Sequence, residues 1–305
     1  MTSLSGDSKA RAVAGKPQHL GDLKELAPGL YVTATPIGNA RDITLRALDV
    51  LRAVDLVAAE DTRVTAKLFA IHGISKPLIA YNDHNAARER PRLLSRLREG
   101  ARIALVSDAG TPLVSDPGFK LVRAAIEDGL PVHALPGASA ALTGLVLSGL
   151  PSDRFLFAGF LPSKSGERRS ALEELKAIRA TLIFFESGPR LAESLKDMAA
   201  VLGTRSGAVT REMTKFHEEV RRGTLAELAQ AYGNESAPRG EVTLLVSPPH
   251  AAEADFGAVD AALTAALVFM PLKPASEMIA DLTGVSRKAV YARGLEMKNG
   301  EPQKS

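Results

Sequence analysis

The stretch that decides the fold is Ile103-Ala104-Leu105-Val106-Ser107-Asp108-Ala109-Gly110-Thr111-Pro112-Leu113-Val114-Ser115-Asp116-Pro117-Gly118. An unbroken apolar run gives way at Ser107 to turn residues. Buried strands of parallel sheets are continuous Val/Ile/Leu runs, because helices cover both faces, and ligands in open α/β folds sit beyond strand carboxyl ends. The run therefore predicts a strand opening into a ligand loop, with Asp108, Gly110 and Thr111 at its mouth. Gly, Pro, Ser and Asp are also the commonest connecting residues, so one such loop establishes no site by itself.

Short apolar strands alternate with amphipathic helices on both sides of this stretch, the pattern of an α/β fold with a largely parallel sheet. Strands are predicted at Leu30 to Thr33, Leu56 to Ala59, Leu78 to Tyr81 and Val132 to Leu135. Helices are predicted over Ile43 to Ala53, with Leu45, Leu48 and Leu51 on one face, from Glu60-Asp61-Thr62-Arg63 to His72, and over Ala86 to Glu99. Gly73, Gly100 and Gly129 suit helix C-termini, and Asp116-Pro117 reads as an N-cap and first turn. Two further strands end in Pro/Gly-rich loops, Thr35 to Asn39 and Pro136 to Ala140, where Gly137 permits close backbone approach and Ser139 caps the next helix.

The alternation pauses at Gly149 to Asp153, and a second α/β unit follows. Its strands are predicted at Phe155 to Phe160, Thr181 to Glu186, Ala208 to Thr210 and Glu241 to Val246, with Thr224 and Glu227 as a capping box. Successive turns between Arg211 and Gly223 predict a mixed sheet here. Helices over Asp255 to Lys298 have the outline of a helix-turn-helix around Thr283-Gly284-Val285-Ser286. The expected divisions are a disordered tail over 1–28, α/β domains over 29–150 and 151–250, and the helical segment over 255–298.

The chain of 305 residues is 45% hydrophobic and 24% charged, ordinary values for a globular protein with room for two domains. Its 38 basic and 35 acidic residues give a net charge of +3, which permits a nucleic-acid partner without establishing one. Cysteine is absent, which excludes disulfides and thiolate catalysis, and the six histidines lack ligand spacing, so no metal is expected. No apolar run approaches the roughly 20 residues of a membrane span, and the N-terminus lacks a signal-peptide core, so the expected location is the cytoplasm. Neither G-x-G-x-x-G nor the P-loop motif occurs, so neither a standard Rossmann cofactor nor a Walker nucleotide is indicated and the ligand must be held in another way.

Thr35-Pro36-Ile37-Gly38-Asn39, Ala59-Glu60-Asp61-Thr62-Arg63, Ser107-Asp108-Ala109-Gly110-Thr111-Pro112, Leu135-Pro136-Gly137 and Gly149-Leu150-Pro151-Ser152-Asp153-Arg154-Phe155 occur in this order. Over about Leu30 to Val246 the chain thereby resembles the tetrapyrrole methylase family, and within it the members that methylate ribosomal RNA. The resemblance implies two α/β domains with S-adenosylmethionine in the cleft between them. It implies methyl transfer to the ribose 2′-hydroxyl of a cytidine in the decoding centre of 16S rRNA, free or in the assembled subunit, by a homodimer. On the family pattern Pro36, Gly38, Asp108, Gly110, Thr111, Ser139 and Ala140 contact the cofactor, and Phe185, Glu186 and Arg211 close over it from the second domain.

A ribose hydroxyl is a weak nucleophile that benefits from a general base or from charge stabilisation. Candidates are Glu60, Asp61 and His84. Glu60 and Asp61 also suit a helix N-terminus, where the dipole favours carboxylates, and His84 also suits a plain surface loop. Lys164, Arg168 and Arg169 are expected on a flexible basic loop contacting RNA phosphates, although they also suit a solvated helix start because Glu167 to Ile178 reads as helical; Arg287 and Lys288 of the helical segment are further expected contacts. Rival functions are methylation of a tetrapyrrole intermediate and a ligand-sensing DNA-binding regulator.

Overall fold

The computed structural model describes residues 26–238, 240–249, 256–283 and 285–300. Most of the expected N-terminal tail lies outside them, as does Gly284 of the expected interhelical turn. The chain divides into two compact units, one built on residues up to Ala138, the other from Ser139 onward and including Ile37–Asn39. The sequence pause at Gly149 to Asp153 lies beyond this division, because the intervening helix packs on the second sheet.

The first unit runs β1 (Gly29–Thr33), α1 (Leu45–Ala53), β2 (Leu56–Ala59), α2 (Thr62–Ile71), β3 (Leu78–Ala80), α3 (Ala86–Arg98), β4 (Arg102–Val106), α4 (Phe119–Glu127), β5 (Val132–Leu135). Its five strands are all parallel in the order β3-β2-β4-β1-β5. The period of two along each strand sorts side chains to two cores. Ala104 and Val106 join Val57, Val50 of α1 and Phe69 of α2, whereas Ile103 and Leu105 join Leu56, Leu93 of α3 and Leu121 of α4. Each fully buried Leu or Ile contributes about 1.5–3 kcal/mol of transfer free energy, so the two covered faces hold the sheet.

Two expectations are corrected in this unit. Thr44 caps α1, its side chain accepting from the Ala47 N–H at 3.1 Å, and that phase buries Ala47, Val50 and Leu51 while leaving Leu45 72% exposed. Ile43 and Leu48 reach the same core, as a hydrophobic staple does. Asp116-Pro117 does not start α4: left-handed turns at Leu113 (φ 75°) and Ser115 (φ 66°) carry the loop on to Gly118 (φ 130°), which is the N-cap. A Cβ on Gly118 would lie 2.8 Å from Leu105 Cδ2.

The second unit runs α5 (Ala140–Ser148), β6 (Phe155–Phe160), α6 (Ser165–Leu175), β7 (Thr181–Ser187), α7 (Leu191–Leu202), β8 (Ser206–Arg211), β9 (Glu219–Thr224), α8 (Leu225–Gly233), β10 (Glu241–Val246). The sheet order is β6-β7-β10-β8-β9, with β6 and β7 parallel and the other pairs antiparallel, the mixed sheet expected. Helices α6, α7 and α8 cover one face and α5 the other. Ser139 caps α5, and Thr224 with Glu227 forms the capping box. Helices α9 (Phe256–Leu267), α10 (Leu272–Thr283) and α11 (Arg287–Gly300) share a separate core around Leu263, Ala275, Ile279 and Val290.

Candidate functional site

Because β1 to β5 are parallel, all five carboxyl ends share one edge of the first sheet. The chain leaves β1 toward β2 on one side and β4 toward β5 on the other, so the adjacent pair β1 and β4 is a topological switch point, where open α/β sheets bind ligands. The two loops that leave this pair are locked together. Thr35 N–H donates to Gly110 O at 2.9 Å, Gly110 N–H returns to Thr35 O at 3.0 Å, and Thr35 Oγ1 donates to Ser107 O at 3.1 Å. Gly110 adopts φ 83°, and Thr111 Oγ1 donates to Ala138 O at 3.1 Å, tying in the loop after β5. Gly137 is required for that meeting, since a Cβ there would lie 2.8 Å from Ala34 Cβ.

Next to the switch point, Glu60, Asp61, Arg63, Asn82, His84 and Asp108 line a depression of about 480 Å³, together with Thr62, Ala80, Asp83, Ser115 and Pro117. Glu60 and Asp61 directly follow β2, and they are wired to the loop after β4. Asp61 N–H donates to Asp108 Oδ1 at 3.0 Å, and Asp108 N–H donates to Glu60 Oε2 at 3.2 Å. Asp61 caps α2 by accepting from Arg63 N–H at 2.8 Å, and its carboxylate also holds the Arg63 guanidinium. Those Arg63 hydrogen bonds hold the Asp61 carboxyl down to about 2. Burial pushes the Asp108 carboxyl up, the Asp61 charge adds to this, and the Asp61 N–H and Arg63 oppose it. Neighbouring acids driven in opposite directions mark an environment able to divide acid and base roles.

His84 lies exposed on the turn between β3 and α3. That turn is fixed by Asn82 and Asn85: Asn82 N–H donates to Asn85 Oδ1 at 2.9 Å, and Asn85 Nδ2 donates to Ala80 O at 2.9 Å. Asn82 Nδ2 donates to Glu60 O at 3.3 Å, linking the His84 turn to the carboxylate cluster. Sequence reasoning misses Asn82, Ser115 and Pro117 as lining residues. Asn82 carries a signal, its place directly after a predicted strand.

Of the other expected site residues, Pro36 is buried and Gly38 exposed. A Cβ on Gly38 would come within 2.7 Å of Lys215 Cγ. In the second unit Phe185 stands edge-on to Phe157 and Phe160. Glu186 is 1% exposed, and its carboxylate accepts from Ser194 Oγ at 2.6 Å and Ser187 N–H at 2.8 Å while pairing with Arg190 at 3.1 Å. That carboxylate braces its own turn. Arg211 pairs with Glu219, which also holds Arg221.

Of the two readings of the basic stretch, the helix start holds and the flexible loop does not. Ser165 begins α6, and Arg168 is 3% exposed, its guanidinium held by Asp197 and by the Pro162 and Ser163 carbonyls. Arg169 shares the same Asp197 and Lys164 pairs with Glu167. Arg287 and Lys288 are exposed at the start of α11, Arg287 paired with Glu277.

Residues 29–229 match the family model described as Tetrapyrrole (Corrin/Porphyrin) Methylases. The chain belongs to the tetrapyrrole methylase family. Residues 253–298 of this methylase match a second model, described as RsmI C-terminal HTH domain. The methylase is 50% identical over 277 residues to the Ribosomal RNA small subunit methyltransferase I of Mesorhizobium japonicum, covering 90% of this chain and 94% of the relative. Its identity to the protein of that name from Erythrobacter litoralis is 51% over 281 residues, 92% of this chain and 99% of the relative. Among solved structures, the Thermus thermophilus uroporphyrin-III C-methyl transferase complexed with S-adenyl homocysteine shares the fold. It matches with a TM-score of 0.51 at 19% identity over 72% of this chain and 97% of its own.

The family consists of S-adenosylmethionine-dependent methyltransferases, and S-adenosylmethionine is the cofactor of this methylase. The first unit fits such a group. Asp108 presents a carboxylate of which only Oδ1 is engaged by a hydrogen bond among the described residues, beside a glycine in a left-handed conformation, as suits a polar, cationic nucleoside derivative. No helix among the described residues is long and apolar enough to cross a membrane.

Proposed function

We propose that this methylase transfers a methyl group to the ribose 2′-hydroxyl of a cytidine in the decoding centre of 16S rRNA. The observation that carries the proposal is likeness at 50–51% identity, over nearly the full length of both partners, to proteins named Ribosomal RNA small subunit methyltransferase I. The helical segment adds weight, because residues 253–298 match the model described as RsmI C-terminal HTH domain.

Bound S-adenosylmethionine supplies a methyl group already activated on a sulfonium. The chain's own residues must then align the hydroxyl, exclude water and accept a proton. Asp108, Gly110, Thr111 and Pro36 would hold the cofactor. Asp61, held near 2 by Arg63, is too weak a base for an alcohol and serves instead to fix Arg63 and the start of α2. His84 is the one imidazole among the lining residues, and imidazole is the commonest general base, so it is assigned the hydroxyl proton. Glu60 positions Asp108 through its backbone. The enzyme would act as a homodimer in the cytoplasm on the rRNA or the assembled subunit.

The test is methyl transfer from labelled S-adenosylmethionine to assembled small subunits, naked 16S rRNA, duplex DNA and uroporphyrinogen, with the modified nucleotide mapped. Label on one cytidine ribose is expected. Label on the tetrapyrrole alone would replace this function by the small-molecule methylase that the fold relative represents.

A further inference from the structure

Helix α3 starts two residues after His84, at the rim of the depression, and carries Arg88, Arg90, Arg92, Arg96 and Arg98 within 13 residues. At 3.6 residues per turn, Arg88, Arg92 and Arg96 succeed one another along one face, each step rising about 6 Å. Leu93, Leu94 and Leu97 occupy the opposite face and are buried against the sheet. The arginine face is therefore turned outward by the packing that holds the helix.

Its charge is poorly compensated. Arg88 and Arg92 keep 70% and 68% of their side-chain surface exposed while sharing the single carboxylate of Glu89. Arg96 is exposed and has no acidic partner among the described residues. The other basic clusters differ: Arg168 is buried, Arg169 and Lys164 have carboxylate partners, and Arg287 is paired with Glu277. The depression itself is lined by Glu60, Asp61, Asp83 and Asp108 against the guanidinium of Arg63, which Asp61 already pairs, so its net acidic lining repels phosphate but tolerates an uncharged ribose. An acidic hollow beside an arginine ridge matches a strand whose sugar enters the hollow while its flanking phosphates stay outside.

Building on the RNA substrate proposed above, we propose that Arg88, Arg92 and Arg96 form a track for the phosphate backbone of the substrate RNA next to the nucleotide being methylated. The interaction is electrostatic and sequence-independent: it holds the strand and leaves base choice to other groups.

The test compares the full chain with Arg88→Ala/Arg92→Ala/Arg96→Ala and with the corresponding triple Lys variant. The readouts are 16S rRNA affinity against salt, steady-state methylation and S-adenosylmethionine affinity by calorimetry. With three phosphates of a single strand no longer neutralised, the slope of log affinity against log salt should become shallower by about 2, and affinity at low salt should fall roughly tenfold or more. Turnover at saturating RNA should stay within about twofold, because the arginines bind ground and transition states alike. Cofactor affinity should be unchanged, and the Lys variant should retain most of the slope. An Ala variant with wild-type affinity and slope, in an enzyme that methylates rRNA, overturns the track alone. A wild-type chain that neither binds nor methylates rRNA instead removes the RNA function on which the track rests.

Discussion

Asp61 and Asp108, on neighbouring strand ends, are joined by a 3.0 Å hydrogen bond from the backbone N–H of Asp61 to Oδ1 of Asp108. Burial raises the Asp108 carboxyl, so ionising it costs more in the fold than in the open chain: this group favours the folded state below its unfolded pKa, and that contribution is lost as pH rises through the folded value. Asp108→Asn keeps an acceptor for the Asp61 N–H without a charge. Its urea midpoint at pH 7 should match or exceed wild type, while S-adenosylmethionine affinity by calorimetry falls about tenfold or more with the loss of a charged partner. Undiminished affinity would remove Asp108 from the cofactor site.

His84→Ala should behave in the opposite way. The residue is exposed on a turn that Asn82 and Asn85 hold without it, so folding and cofactor affinity should stay near wild type. Turnover on rRNA should fall about 10²–10⁴-fold, the range for a lost general base. A kcat within a factor of about 2 would make His84 a bystander.

Asp197 should be a keystone of stability. It is 2% exposed between Arg168 and Arg169. Burial pushes its carboxyl up, but hydrogen bonds from Arg169, Ser165 and Arg168 outweigh burial and hold it below the usual range. Its contribution is thus present above the unfolded carboxylate pKa of about 3.9 and lost as pH falls through the lowered folded value. Asp197→Ala, leaving Arg168 buried without a counter-charge, should cost about 3–5 kcal/mol in urea unfolding at pH 7. Asp197→Asn should flatten the loss of wild-type stability below about pH 4. An unchanged acid limb would assign that loss to other carboxylates.

Gly188→Ala should be among the most damaging single-methyl changes. The new Cβ would fall 1.7 Å from the carbonyl oxygen of Pro238, while the Gly188 N–H donates to Gly240 O at 2.9 Å. Backbone must move on one side, at a cost on the order of 3 kcal/mol or more by urea unfolding. Gly166→Ala, with open space around its Cβ, is the matched control and should be close to neutral.

The parallel sheet is readable in the sequence because strands covered on both faces must be apolar without interruption, as in Leu56–Ala59 and the Ile103 to Val106 part of β4. Strand β9 is not: Glu219–Thr224 is a partly exposed edge strand whose Arg221 and Arg222 read as a turn, although antiparallel pairing with β8 defines it. The carboxylates at the strand ends are legible from the loops that hold them. Which way each titrates is not, since that depends on Arg63 facing Asp61 and on burial at Asp108. The fate of Arg168 is equally hidden, because its partner Asp197 lies on another helix.

The order of the first sheet also governs how the chain is assembled. Strand β1, made first, lies inside the sheet, and its neighbours are β4 and β5: Gly29 pairs with Arg102 and Leu30 with Val132. None of its ladder partners exists until most of the unit has been synthesised. Such non-local pairing gives a high contact order and slow folding. During translation β1 therefore waits as an unpaired apolar segment, and the sheet whose strand ends frame the hollow is complete only once β5 has left the ribosome.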